Sequence, residues 1–168
     1  KIIESQGIKT KAIIPSESMR TRGAKHISKF PKKIFDKAIR EGNIPITFGD
    51  VTEDELQGIN VLSGDVIMME LARIYRPAFS VFIMDYPGVM DSNPRLKDSN
   101  IIPIVDSKMI GELRQKTNMN GTTDVTGGLI GKLECALEIS KYSQCWITNL
   151  DSLEIVLLGK PKGSKVLL

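Results

Sequence analysis

Histidine, cysteine and tryptophan are nearly missing from this sequence: His26 and Trp146 are single, and the only cysteines are Cys135 and Cys145. One imidazole and two thiols outside any CxxC spacing leave too few ligands for the usual zinc sites. The sequence also lacks an apolar run long enough to span a bilayer, a secretory leader, and a run of Lys and Arg interleaved with aromatics. These absences argue against a membrane protein and against a nucleic-acid binder, and they fit a reduced, cytoplasmic setting. The charge balance agrees, because 23 basic against 20 acidic residues give only +3, spread along the chain. Chemistry through Mg²⁺ on a bound phosphate stays open, since it needs neither His nor Cys.

What is present suffices for one compact domain: 168 residues, 41% of them hydrophobic. The first residue is Lys1 rather than Met, and "KIIESQG" reads as the last turns of a helix closing on Gly7. The expectation is therefore a portion of a longer protein. "IKTKAII" has the β-branched look of a strand ended by Pro15, and the basic stretch from Met19 to Phe30 suits a solvated loop or hairpin. "PKKIFDKAIREGN" places Ile34, Phe35, Ala38 and Ile39 on one helical face, and "IPITFGD" is a short strand. "SGDVIMMELARIY" is an apolar helix stopped before Pro77, and the continuous apolar run "AFSVFIMD" predicts a buried parallel strand. A turn-rich connection, the strand "IIPIVD", a helix from a Ser or Asp cap at "DSKMIGELRQK", and the strands "QCWITNL" and "SKVLL" follow. This alternation predicts an α/β fold, a three-layer α/β/α arrangement with a mostly parallel sheet covered on both faces.

In such sheets ligands bind beyond the carboxyl ends of strands. Three motifs fall there: Phe48-Gly49-Asp50, Ser63-Gly64-Asp65 and the "MDYPGV" stretch from Met84 to Val89. Asp65 either complements the macrodipole of the helix it opens or orients cations beside a transferring phosphoryl group. Asp85, followed by Pro87-Gly88, reads either as part of an ordinary β-turn or as an acid beside a ligand that the turn lets approach. The stretch "GTTDVTGGLIGKLECALEISK" sets Lys132 just inside a helix after Gly127, Gly128 and Gly131. There its ammonium could meet a phosphate together with backbone N–H groups, or it could be an exposed helical lysine behind a flexible loop. The spacing is not that of GxxxxGK followed by Ser or Thr, because Leu133 stands at the hydroxyl position. His26 lies in the charged loop and reads as solvated. Met68 and Met69 read as packing residues, and Trp146 as a half-buried strand residue.

Taken in order, "IPITFGDV", "GINVLSGDVIMMELA", "VFIMDYPGVMDSNP" and "DVTGGLIGKLECALEIS" resemble the carboxyl-terminal half of the amino-acid-kinase superfamily, most closely its archaeal isopentenyl phosphate kinases. The resemblance covers nearly the whole chain and is strongest at Asp124-Val-Thr-Gly-Gly128 with Gly131-Lys132. A weaker pattern is echoed by Asn149, Gly159 and Gly163. It implies transfer of the γ-phosphoryl group of Mg-ATP to a small phosphate, with ATP and Mg²⁺ as cofactors and isopentenyl phosphate as acceptor. Other acceptors of the superfamily (UMP, an amino acid, a phosphonate) and a non-catalytic nucleotide-binding domain are the competing expectations. By the same resemblance Lys132 contacts the transferring phosphoryl group. Thr126, Gly127 and Gly128 meet the nucleotide phosphates, and Asp85, Pro87 and Gly88 the nucleoside side. Gly64 lines the acceptor-phosphate site and Asp65 organises the lysines around the reaction, so Lys132 and Asp65 are the catalytic candidates. Val66 stands where the family carries a second acid, and "MDYPGV" replaces "TDVDGV". The family's glycine-rich start with its lysine, and its "GGG…GH" loop, have no counterpart here, and His26 does not match that histidine. The chain is thus expected to be a nucleotide-binding half, residues 1–168 forming a single portion whose amino-terminal part is absent, weak or inactive alone. A homodimer is the family's usual assembly.

Overall fold

A computed structural model describes residues 4–23, 25–120 and 125–168, with side chains described outside 116–120 and 125–127. The chain divides into two compact units, one ending at Glu70 and the other beginning at Leu71.

In the first unit a short 3-10 turn, Glu4–Gln6, closes on Gly7, whose φ of 77° is the left-handed conformation expected at a helix end. Strand β1 (Thr10–Ala12) leads through the four-residue helix α1 (Pro15–Ser18) into a hairpin of β2 (Arg20–Thr21) and β3 (Ile27–Lys29). The basic segment from Met19 to Phe30 is thus a hairpin, but not a wholly solvated one: Met19 and Thr21 are buried. Helix α2 (Lys32–Arg40) ends in a Schellman motif: Gly42 N–H donates to Ile39 C=O and Asn43 N–H to Ala38 C=O, with Gly42 at φ 72°. It buries Phe35 and Ala38, while Ile34 and Ile39 are 43% and 50% exposed. The predicted four-residue face is narrower than drawn, because Ile34 and Ile39 flank the seam that Phe35 and Ala38 occupy.

Strand β4 (Ile44–Ile46) pairs in parallel with β1. Strands β5 (Asp50–Asp54) and β6 (Gly58–Leu62) then form an antiparallel hairpin in a second sheet of order β3-β2-β5-β6, where β2 and β5 run parallel. Helix α3 (Gly64–Tyr75) follows, burying Val66, Ile67 and Ala72.

The second unit is built on β7 (Phe79–Ile83), β8 (Ile104–Val105), β9 (Gln144–Thr148) and β10 (Ser164–Val166), in the order β7-β9-β10-β8. Strands β7 and β9 are parallel, as are β10 and β8, and only β9–β10 is antiparallel in this sheet. Together with β1–β4 and β2–β5 this is a mixed α/β fold with mostly parallel pairing. Strand β7 lies at the sheet edge and alternates, with Ser80 and Phe82 buried and Ile83 exposed, where the apolar run predicted burial throughout. Helix α4 (Ser107–Asn120) starts from Asp106, whose Oδ1 accepts the Met109 N–H at 2.8 Å. Helix α5 (Val125–Ile139) buries Leu133, Cys135, Ala136 and Ile139, packs on β9, and is tied to α4 by an Arg114–Glu134 ion pair. A 3-10 turn (Leu150–Ser152) and α6 (Leu153–Leu157) join β9 to β10. Trp146 is buried rather than half-buried, with the Lys165 ammonium 5.7 Å from its ring centre.

Candidate active site

In the first unit two of the predicted motifs meet. The turn after β4 runs through Phe48-Gly49 into Asp50, and β6 ends at Leu62 directly before Ser63-Gly64-Asp65 opens α3. Ser63 caps that helix, its Oγ accepting the Val66 N–H at 3.3 Å. A Cβ placed on Gly49 would lie 3.2 Å from Gly64 N and 3.2 Å from Leu62 O, so the two turns approach backbone to backbone. Asp50 anchors this arrangement: its Oδ2 accepts the Ser16 N–H at 3.0 Å and its Oδ1 the Val51 N–H at 2.9 Å. Those hydrogen bonds, the ones from Ser16 first, hold its carboxyl below the ordinary range. Gly64 is exposed and Asp65 half-buried in the first turn of α3, where N–H groups and the positive end of the dipole favour an anion.

Sequence reasoning passed over a second carboxylate in this unit. Asp54, at the end of β5, accepts hydrogen bonds from Thr21 Oγ1 (2.8 Å) and from the N–H groups of Gly23 (2.6 Å), Leu56 (2.9 Å) and Gln57 (3.0 Å). Burial alone would raise its carboxyl, but these bonds outweigh burial and hold it below its usual value. All its near partners are donors of its own hairpin and of the neighbouring turn, so its work is structural.

In the second unit β7 and β9 run parallel, so their carboxyl ends open to the same side. Phe82, near the end of β7, is buried, and Lys132 from the second turn of α5 holds its ammonium 5.1 Å from the ring centre. A half-buried cation therefore stands at the end of the sheet where ligands of open α/β folds bind. Asp85 is exposed just past β7, and Pro87 is half-buried. Gly88 is buried for a packing reason: a Cβ there would lie 2.8 Å from Ile101 Cγ2, 2.8 Å from Ser164 Oγ and 3.2 Å from Ser164 N. Ser164 is itself fixed, accepting the Val89 N–H at 2.8 Å and donating to Ile102 C=O at 2.6 Å. Asn149, Gly159 and Gly163 also have structural work. Asn149 Oδ1 accepts the Ser152 N–H at 3.1 Å, and the two glycines have φ of 76° and 131°.

The glycines of α5 differ. Among the described residues, the helix's own backbone aside, no heavy atom lies within 4 Å of where a Cβ on Gly128 or Gly131 would stand, and neither has a positive φ. Glycine within a helix costs roughly 0.5–1 kcal/mol against alanine, and among the described residues neither a close neighbour nor a positive φ calls for glycine at these two positions. Gly111 of α4 is equally open, so openness alone does not mark a site; Gly128 and Gly131 differ in preceding Lys132 within one turn of the same helix. Gly127 falls with Gly128 in the opening turn of α5. The side chain of Thr126, the surroundings of Gly127 and the Asp124 that begins the predicted signature lie outside the described residues.

Other candidates recede. His26 is exposed, and Cys135 and Cys145 are buried and not joined in a disulfide, burial pushing Cys145 up to about 12. A thiol held that high supplies no thiolate at neutral pH. Among the described residues no group of three or more His, Cys, Asp or Glu converges as a metal site, and no helix is long and apolar enough to cross a membrane.

Comparison with known proteins identifies the family of the chain and the likeness of its fold. The model of the amino acid kinase family matches residues 1–149. The isopentenyl phosphate kinase of Methanothermobacter thermautotrophicus is 28% identical over 172 residues, covering 96% of this chain and 62% of that protein. The isopentenyl phosphate kinase of Arabidopsis thaliana is 25% identical over 154 residues, covering 84% of this chain and 46% of that protein. A solved isopentenyl phosphate kinase superposes with a TM-score of 0.76 at 21% identity, covering 98% of this chain and 61% of that one. The chain thus spans 46 to 62% of the length of these relatives.

Proposed function

The chain belongs to the amino acid kinase family, and from that premise we propose that the full-length protein transfers the γ-phosphoryl group of ATP to isopentenyl phosphate, giving isopentenyl diphosphate. The observation that carries the phosphate-binding part is the Lys132 ammonium over Phe82, from a helix whose Gly128 and Gly131 no described residue crowds. The choice of acceptor is supported by the relatives, both named isopentenyl phosphate kinases. The same reading makes this chain the nucleotide-binding portion of a longer protein, set in the cytoplasm in keeping with two cysteines that form no disulfide.

Two anions must approach each other in this reaction, so catalysis consists mainly of positioning and of charge placed in advance. Lys132 supplies a fixed positive charge at the transferring phosphoryl group. Thr126, Gly127 and Gly128 meet the nucleotide phosphates at the start of α5. Asp85 and Pro87 face the nucleoside side, with Gly88 shaping the turn that carries them. Gly64 receives the acceptor phosphate at the entrance of α3, and Asp65 organises the surrounding cations. Mg²⁺, bound through the ATP phosphates, would spread their charge.

The test is ATP consumption by the full-length protein with isopentenyl phosphate, UMP and glutamate compared. Turnover with isopentenyl phosphate is expected. Turnover with either of the others but not with isopentenyl phosphate would sink the choice of acceptor.

A further inference from the structure

The Phe48-Gly49-Asp50 turn takes no part in the roles above, yet it is the segment in contact with the Gly64 entrance. A Cβ at Gly49 would meet three backbone atoms of the segment entering α3: Gly64 N and Leu62 O at 3.2 Å and Ser63 Cα at 3.6 Å. Gly49 has no positive φ, so conformation does not demand glycine there, and close approach does. Both Gly49 and Gly64 are exposed, so this approach contributes little to a core. It is nevertheless held firmly. Asp50 pairs with Leu62 in the β5–β6 ladder, and its carboxylate ties the start of β5 to the start of α1 through the Ser16 N–H.

We propose that Asp50 is a positioning residue for the acceptor phosphate: it holds the Gly49 turn against the entrance of α3 and so fixes where the Gly64 N–H points. The inference rests on the acceptor site proposed above. Its physical basis is that small displacements of an anion-binding N–H are expensive in rate and affinity, while nearly neutral for the fold. An alanine at Gly49 forces Gly64 to give by a few tenths of an ångström; Asp50→Ala releases the clamp; Asp50→Asn keeps one oxygen for the Ser16 N–H.

The experiment measures KM for acceptor and for ATP separately in the full-length protein and these three variants. In parallel the Gly64 amide resonance is followed during titration with inorganic phosphate. Gly49→Ala and Asp50→Ala are expected to raise acceptor KM about tenfold and to weaken the Gly64 phosphate response equally. ATP KM should stay within about twofold, and Asp50→Asn should recover most of the loss. Equal changes in both KM values, unchanged acceptor KM in folded variants, or no phosphate response at Gly64 in the wild type would each overturn the proposal. Should the wild type use a different acceptor, the reading of function fails, while the KM split with that acceptor still decides this one. Should no acceptor be turned over, the phosphate titration decides it.

Discussion

Two glycine-bearing regions of the second unit were expected to touch the nucleotide, and the structure treats them in opposite ways. In the turn after β7, Gly88 is wedged against Ile101 and Ser164, with no room for a methyl group. In α5, no described residue crowds Gly128 or Gly131, and both occupy helix positions where alanine has the higher propensity. A glycine explained by its neighbours says little about ligands. A glycine that its neighbours leave unexplained, next to a half-buried ammonium, is the stronger sign of a site, and the two cannot be told apart in the sequence.

Substitutions can break or sharpen this contrast. The largest effect is expected at Lys132, which anchors the open region. In the full-length enzyme Lys132→Ala should lower turnover by about 10²–10³ while ATP affinity changes far less. Stopped-time assays beside calorimetric titration with Mg-ATP measure both, and near-normal turnover would remove Lys132 from the reaction. Next is Gly88→Ala. Ser164 is pinned by two hydrogen bonds and cannot swing aside, so overpacking should destabilise by about 1–3 kcal/mol. Urea denaturation reads this out, and an unchanged midpoint would show that the wedge is softer than its distances imply. The smallest effect belongs to Gly128→Ala, which should stabilise α5 by roughly 0.5–1 kcal/mol while weakening Mg-ATP binding. Opposite signs in stability and binding are the signature of a functional glycine. A loss of stability instead would put Gly128 in the same class as Gly88.

Much of this was legible beforehand, for identifiable reasons. Helix ends were visible because their chemistry is local: Gly7, Gly42 and Asp106 all stand where a cap needs them. The parallel pairing of β7 with β9 followed from apolar, β-branched runs separated by helices. The β5–β6 hairpin was not foreseen, because "DVTED" and "GINVL" expose Val51, Ile59 and Val61 while Thr52 and Asp54 are buried, reversing the usual pattern at those positions. Asp54 escaped for the same reason, since a buried acid is marked by donors that only the folded turn assembles. Likewise Lys132 could be singled out from "GGLIGK", but its seat on Phe82, fifty positions earlier, depends on tertiary packing. The meeting of Gly49 with Gly64 was equally invisible, as glycine has no side chain to betray a contact.

The Asp54 carboxylate has a consequence for how this hairpin can change over generations. Three of its four near donors are backbone N–H groups, at Gly23, Leu56 and Gln57. Side chains at 55, 56 and 57 are therefore free to drift, because no bond to Asp54 depends on them. The number of residues is not free: one inserted at the tip would carry the Leu56 and Gln57 amides out of reach. An exposed loop that looks permissive is thus tolerant in composition and strict in length.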